Sequence, residues 1–174
     1  MIWHTKPFNI YDCTPNMFYA TLKTIHLMSV IVWIGGMVFA HFFLRPALTP
    51  LAAPERLRLM HDVLGRFFGA VLVAAGLVLV SGVWMIGRVA RQMSVAGVKF
   101  NMPLEWMVMS VLGLVMMGIF VYIRFVLYPR LSQAVTVTAW PAGGAALASI
   151  RGWVMVNMVI GVVIVVITLM GALS

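Results

Sequence analysis

The fold is decided by residues 24–48, TIHLMSVIVWIGGMVFAHFFLRPAL, an apolar segment that carries two histidines, His26 and His41. The segment is longer than the roughly 20 residues that a helix needs to cross a bilayer. It closes with Arg45, a cation suited to the headgroup level, and Pro46, which cannot continue a regular helix. The segment therefore predicts a membrane-spanning helix with an imidazole near each end.

The rest of the chain has the same character. Its 174 residues are 63% hydrophobic and 9% charged, with a mean hydropathy of +1.06. Backbone groups find no water in hydrocarbon, so long apolar stretches that do not alternate like barrel strands must be helical. Four such stretches, helices 1 to 4, lie at about 19–44, 67–87, 104–128 and 153–173. They predict an all-α integral membrane protein, a bundle of four transmembrane helices.

The segments outside these stretches predict the organisation of the chain. Residues 1–18 form a short external arm with the lone Cys13, and residues 19–174 form a single transmembrane domain. The segment ERLRLMHDVLGRFF, at 55–68, spaces its apolar residues by three and four and predicts an amphipathic start to helix 2. The segment SQAVTVTAWPAGGAALAS, at 132–149, is predicted to be a loop.

The net charge of +8 is spread over the helix ends and forms no single patch. This distribution is typical of charges that flank membrane spans, and it argues against a nucleic-acid partner. Seven of the twelve lysines and arginines lie on or beside loops 1 and 3, and five lie on the other side. The excess predicts loops 1 and 3 in the cytoplasm and both termini outside.

His26 and His41 mark two levels of the bundle, because fifteen residues of helix separate them by about 22 Å. At the level of His26, thioethers and one carboxylate are predicted at similar depth, and thioether and imidazole ligands suit copper. The predicted copper ligands here are His26, Met85, Glu105 and Met109, with Ser81, Thr168 and Met170 nearby. The alternative is that His26 bonds a neighbouring helix and the methionines are apolar filling.

At the other level, His41 and His61 come from antiparallel neighbours and are predicted to form a second copper site. Arginines at this depth serve equally well as anchors for lipid phosphates. The polar residues expected around the pair are Arg45, Arg66, Arg124 and Asn157. Between the levels, some of the fifteen methionines lie at depths suited to stepping points for copper, although methionine at helical spacing is usually core. These are Met37, Met116, Met117, Met155 and Met158.

Several segments resemble one known family. They are LKTIHLMSVIVWIGGMVFAHFFLRPAL at 22–48, LGRFF at 64–68, GLVLVSGVWM at 76–85, YPRL at 128–131 and WPAGGAALASIRGWVMVNMVIGVVIVVI at 140–167. The family is the copper-resistance D (CopD) domain family of bacterial inner-membrane proteins. The resemblance implies copper binding, uptake or resistance at the bacterial inner membrane, with a periplasmic copper-binding protein as the expected soluble partner.

The pattern of helix 1 is also similar to the HemJ-type protoporphyrinogen oxidases, four-helix membrane proteins that bind haem b. That family pairs its helix 1 histidine with a lysine in helix 3, whereas the corresponding stretch here, LEWMVMSVLG at 104–113, contains no lysine. The alternative hypothesis is therefore a redox protein that holds haem b between His26 and Met107 or Met109 and exchanges electrons with a quinone. No hydrolase arrangement, phosphate-binding loop or closed zinc site is present in the sequence, so binding or transport is favoured over catalysis.

Overall fold

The computed structural model describes residues 14–97, 99 and 101–171, with side chains from residue 17 onward. Most of the predicted arm, including Cys13, lies outside these residues. Four helices are long and apolar enough to cross a membrane, so the predicted fold class is confirmed. Their spans are Met17–Ala47, Ala53–Val95, Leu104–Thr136 and Trp140–Gly171. We keep the names helix 1 to helix 4 for them.

Helix 1 and helix 3 each contain a π-helical turn, which the sequence did not predict. Helix 1 runs as Thr14–Phe39, a π turn at Ala40–Leu44 and a final Arg45–Ala47. Helix 3 runs as Leu104–Tyr122, a π turn at Ile123–Leu127 and a final Tyr128–Thr136. Each π turn ends on the leucine of the same pattern, leucine, any residue, proline.

The prolines explain why the turns widen at these two places. Pro46 and Pro129 have no backbone N–H, and their rings press on the preceding turn of a regular α-helix. In the wider turn, the residue before each proline donates its backbone N–H to the carbonyl five residues earlier. Arg45 donates to Ala40, and Tyr128 donates to Ile123. Helix 1 therefore continues past Pro46 and ends at Ala47.

The predicted loop at 132–149 is wrong. Helix 3 continues to Thr136 and helix 4 already begins at Trp140, so the connection is three residues long and contains Thr138 in the left-handed region, with φ of 55°. The alanines of this stretch favour helix, and Pro141 suits a first helical turn. Gly143 is buried where an added Cβ would lie 3.4 Å from Leu57 of helix 2. The glycine serves close packing and not a turn.

Helix 2 is one continuous helix of 43 residues. Its length of about 64 Å, at 1.5 Å per residue, is twice the hydrocarbon thickness, so its ends extend beyond the apolar layer. The amphipathic start that the sequence predicted is present, because Leu57, Met60 and Leu64 are buried. Helix 1 packs along helix 2, and helix 3 packs along helix 4.

The centre of the bundle is aromatic. The ring of Phe120 on helix 3 meets Trp33 of helix 1 at 5.8 Å and Phe68 of helix 2 at 6.2 Å, both edge to face. Gly36 lets helix 1 approach the ring of Phe67, because a Cβ at this position would overlap that ring. Many large apolar side chains on the outer faces remain exposed, as lipid contact requires. Helices 1, 2 and 3 are thus fixed around one core.

Candidate functional site

The ring of His26 is held by helix 2. Its Nδ1 lies 2.9 Å from Oγ of Ser81, which is 2% exposed. A Cβ added at Gly82 would be 3.5 Å from Cε1 of the same ring, so the glycine lets the half-buried imidazole lie close to the helix 2 backbone. The sequence predicted Ser81 and His26 at a similar depth, and the structure shows that they are in contact.

The contact with Ser81 orients the ring and is compatible with a proton on its Nδ1. The hydroxyl of Ser81 donates a short hydrogen bond to the carbonyl of Leu77, so its oxygen is left to accept one from His26. A neutral imidazole that donates from Nδ1 to this oxygen keeps a lone pair on Nε2. In metal-binding histidines the second nitrogen is commonly oriented in this way by a hydrogen bond.

The other ligands predicted at this level lie on three helices. Met85 is four residues after Ser81, hence on the same face of helix 2, and is half-buried. Glu105 lies in the first turn of helix 3, and its side chain packs on Gly171 at the end of helix 4. Met109 is half-buried, whereas Met107, the other methionine of the haem hypothesis, is 47% exposed. Of these residues, Met85 is the one that shares the helix face of Ser81.

Between the two levels, the bundle contains buried sulfur and one buried amide. Asn157 is 1% exposed; its Nδ2 lies 3.8 Å from Sδ of Met37, and its Oδ1 has no hydrogen-bond partner within the described residues. Met116 lies against Gly161, one turn along helix 4 from Asn157. Of the five methionines predicted as stepping points, Met37, Met116 and Met158 are buried, and Met117 and Met155 are half-buried.

His61 is engaged on a different surface from His41. Its ring stacks on Tyr128 of helix 3 with centroids 5.3 Å apart, its Nδ1 lies 3.0 Å from Oδ1 of Asp62, and its Nε2 lies 3.3 Å from the Tyr128 hydroxyl. Arg124 also lies over the Tyr128 ring, at 5.2 Å, with its Nε buried and unpartnered among the described residues. The sequence missed this pairing because His61 and Tyr128 are 67 residues apart.

His41 lies in a cavity of about 390 Å³ that the sequence also did not predict. The cavity is bounded by the end of helix 1, the start of helix 2 and the start of helix 4. Four basic side chains line it: His41, Arg45, Arg56 and Arg151. Its inner wall is apolar, formed by residues such as Leu57, Leu64 and Val154. We call it the basic cavity.

The donor set limits what a metal site here can be. No cluster of three or more His, Cys, Asp or Glu side chains suited to a metal ion occurs in the described part of the chain. A closed site for a hard or borderline metal needs three or four such ligands. The methionines predicted at the level of His26 offer thioether sulfur, a ligand that favours soft Cu(I).

The fold and these side chains define a multi-pass membrane protein with a four-helix bundle, in which polar groups meet at both ends of an apolar core. The family model described as copper resistance protein D (CopD) matches residues 61–170. The chain belongs to this family, so it is a membrane protein of copper resistance or handling. The matched region begins within helix 2 and does not include helix 1, which carries His26 and His41.

Comparison with curated proteins gave no match, and comparison with solved structures gave none either. The similarity to HemJ-type proteins stays a prediction.

Proposed function

We propose that the chain handles copper as Cu(I), which it binds through Nε2 of His26 at the end of the bundle opposite the basic cavity. The observation that carries the proposal is the hydrogen bond of His26 to Ser81. In the proposed arrangement Nδ1 donates its proton to Ser81, so Nε2 keeps a lone pair in a half-buried place. A copper ion can bind there without displacing a proton from Nε2.

Met85, Glu105 and Met109 are the proposed further ligands. Met85 has the strongest support, because it shares a helix face with Ser81 and its side chain is partly shielded. Thioether and imidazole together suit Cu(I), and the carboxylate would offset the charge of the ion in a region of low dielectric. The haem alternative depends on the same His26 together with Met107 or Met109.

The buried thioethers give the proposed route through the bundle. Met37, Met116 and Met158 are soft donors in the core, and Asn157, whose Nδ2 lies 3.8 Å from Sδ of Met37, has no partner for its Oδ1 among the described residues. A buried polar group without a partner is unfavourable unless something else binds it. Weak, spaced ligands of this kind allow an ion to enter and leave in steps.

The proposed setting is the bacterial inner membrane with both termini in the periplasm. Helix 1 begins at the end of the bundle that carries His26, so this end would then face the periplasm and receive copper from a periplasmic copper-binding protein. At the cytoplasmic end His61 is the proposed acceptor, and the other histidine predicted there, His41, is not. Their surroundings differ, because His61 is bonded by Asp62 and Tyr128 whereas His41 shares its cavity with three arginines.

Copper binding can be measured directly. The full chain is purified in detergent under reducing conditions, loaded with Cu(I), and challenged with a Cu(I) chelator while metal content and the visible spectrum are recorded. We expect retained copper and a colourless preparation. An intense Soret band would support the haem hypothesis instead. Loss of all copper to a weak chelator would overturn the proposal.

A further inference from the structure

The basic cavity brings together cations that no carboxylate neutralises. Arg45 comes from helix 1, Arg56 from helix 2 and Arg151 from helix 4, and His41 joins them. No aspartate or glutamate lines the cavity, although Glu55 is the chain neighbour of Arg56. Across residues 14–97, 99 and 101–171, the recorded ion pair is that of His61 with Asp62. Three arginines therefore line one small space that no carboxylate lines.

This arrangement favours an anion over copper. Three fixed positive charges around a small cavity repel a metal cation, and low dielectric strengthens the repulsion. Guanidinium groups bind phosphate through two parallel hydrogen bonds, and imidazole can donate a further one. The neighbouring Arg58 differs from these arginines, because its guanidinium lies 5.3 Å above the Trp140 ring and makes a cation–π contact there.

The walls favour an anion that carries an apolar tail. The cavity continues inward along Leu57, Leu64 and Val154, which belong to the bundle core. On the side between helix 1 and helix 4 it is lined by small residues, Ala40, Gly144 and Ala148, of which the last two are exposed on the outer surface of the bundle. A volume of about 390 Å³ falls in the range of small-molecule sites.

We propose that the basic cavity binds the phosphate group of an anionic phospholipid, with its first acyl segment against the apolar wall. This site is separate from the proposed copper site, because it lies at the other end of the bundle. A bound lipid would fill the cavity and contact helices 1, 2 and 4 at the same time, which should stabilise their packing. The group that would be recognised is a phosphate ester. The test must therefore distinguish a phospholipid from a soluble phosphate ester.

The test uses the full chain in nanodiscs of phosphatidylcholine with increasing phosphatidylglycerol. The measurements are the number of retained phosphatidylglycerol molecules, by native mass spectrometry, and the thermal midpoint. We expect selective retention of phosphatidylglycerol and a higher midpoint for the wild type. The double variant Arg56→Gln, Arg151→Gln should reduce affinity roughly tenfold or more, as loss of charge-assisted hydrogen bonds implies. Glycerol 3-phosphate should compete only weakly.

Arg66→Gln is the matched control, because Arg66 is an exposed arginine of helix 2 that does not line the cavity. It should retain phosphatidylglycerol like the wild type. Equal retention of phosphatidylcholine and phosphatidylglycerol, an equal loss in the control, or full competition by glycerol 3-phosphate would each overturn the proposal. Arg151→Gln alone, at an exposed position, gives a second variant whose folding is not in question. Copper retention measured on the same preparations should be unchanged, which separates this test from that of the copper site.

Discussion

The two ends of the bundle each present a histidine of helix 1, but the neighbours of the two rings differ. His26 meets the hydroxyl of Ser81, and thioethers and one carboxylate are predicted at its level. His41 shares a cavity with three arginines. We therefore propose that the same side chain serves a soft cation at one end and an anion at the other. The charges around an imidazole, more than its depth in the membrane, decide which ligand it can bind.

The largest expected effect is the loss of copper from His26→Ala. Removing a direct ligand should lower copper affinity by more than the roughly 10–100-fold that the loss of an outer-shell partner causes. The measurement is retained Cu(I) per chain after a chelator challenge, together with copper accumulation in cells. His41→Ala is the matched control, because it removes a histidine from the same helix at the arginine-rich end. Equal losses in the two variants would contradict the difference between the ends.

Ser81→Ala should have the next largest effect. The alanine removes the acceptor for Nδ1, so the ring loses its fixed orientation, and copper affinity should fall about 10–100-fold. Ser29→Ala is the control: Ser29 is a buried serine of helix 1 whose hydroxyl bonds only the carbonyl of Ile25. Competition titration with a Cu(I) chelator measures both variants. A wild-type affinity in Ser81→Ala would mean that the serine does not orient a ligand.

Asn157→Leu tests whether the core between the ends serves the passage of copper. Leucine removes a buried carbonyl oxygen that has no hydrogen-bond partner among the described residues, so the variant should be more stable by about 1 kcal/mol, which raises the thermal midpoint by about 2–4 °C. Copper accumulation in cells should fall at the same time. Val159→Leu, an exposed position two residues further along helix 4, should change neither. A lower midpoint for Asn157→Leu would show that the amide is structural.

The sequence predicted the four spans, because these depend on apolar length. It also predicted the buried side of the start of helix 2 from the spacing of Leu57, Met60 and Leu64. It did not predict which of several residues at one depth would contact His26. Helices that are apolar on every side have no polar face to fix their rotation, so Ser81, Met85 and Thr168 remained equivalent until the packing was known.

The basic cavity shows a second limit. Arg45, Arg56 and Arg151 lie in three distant segments, and each alone has the pattern of an ordinary headgroup anchor. Their meeting depends on helix 1 continuing through its π turn to Ala47 and on helix 4 beginning as early as Trp140. The sequence predicted a loop at the second of these places, since glycine and proline there have the composition of a turn. The correct interpretation is that Gly143 allows close packing and that Pro141 lies in the first turn of helix 4.

The smallest expected effect is that of Gly82→Ala. The added Cβ would lie 3.5 Å from Cε1 of His26, an ordinary contact that requires no movement of the ring. Copper affinity should therefore stay within about twofold of the wild type, which corresponds to about 0.5 kcal/mol. Gly82→Leu fills the space of the ring and should displace it from Ser81, with a loss like that of Ser81→Ala. If alanine at position 82 already causes that loss, close approach of the helix 2 backbone, and not the serine hydroxyl, orients the imidazole.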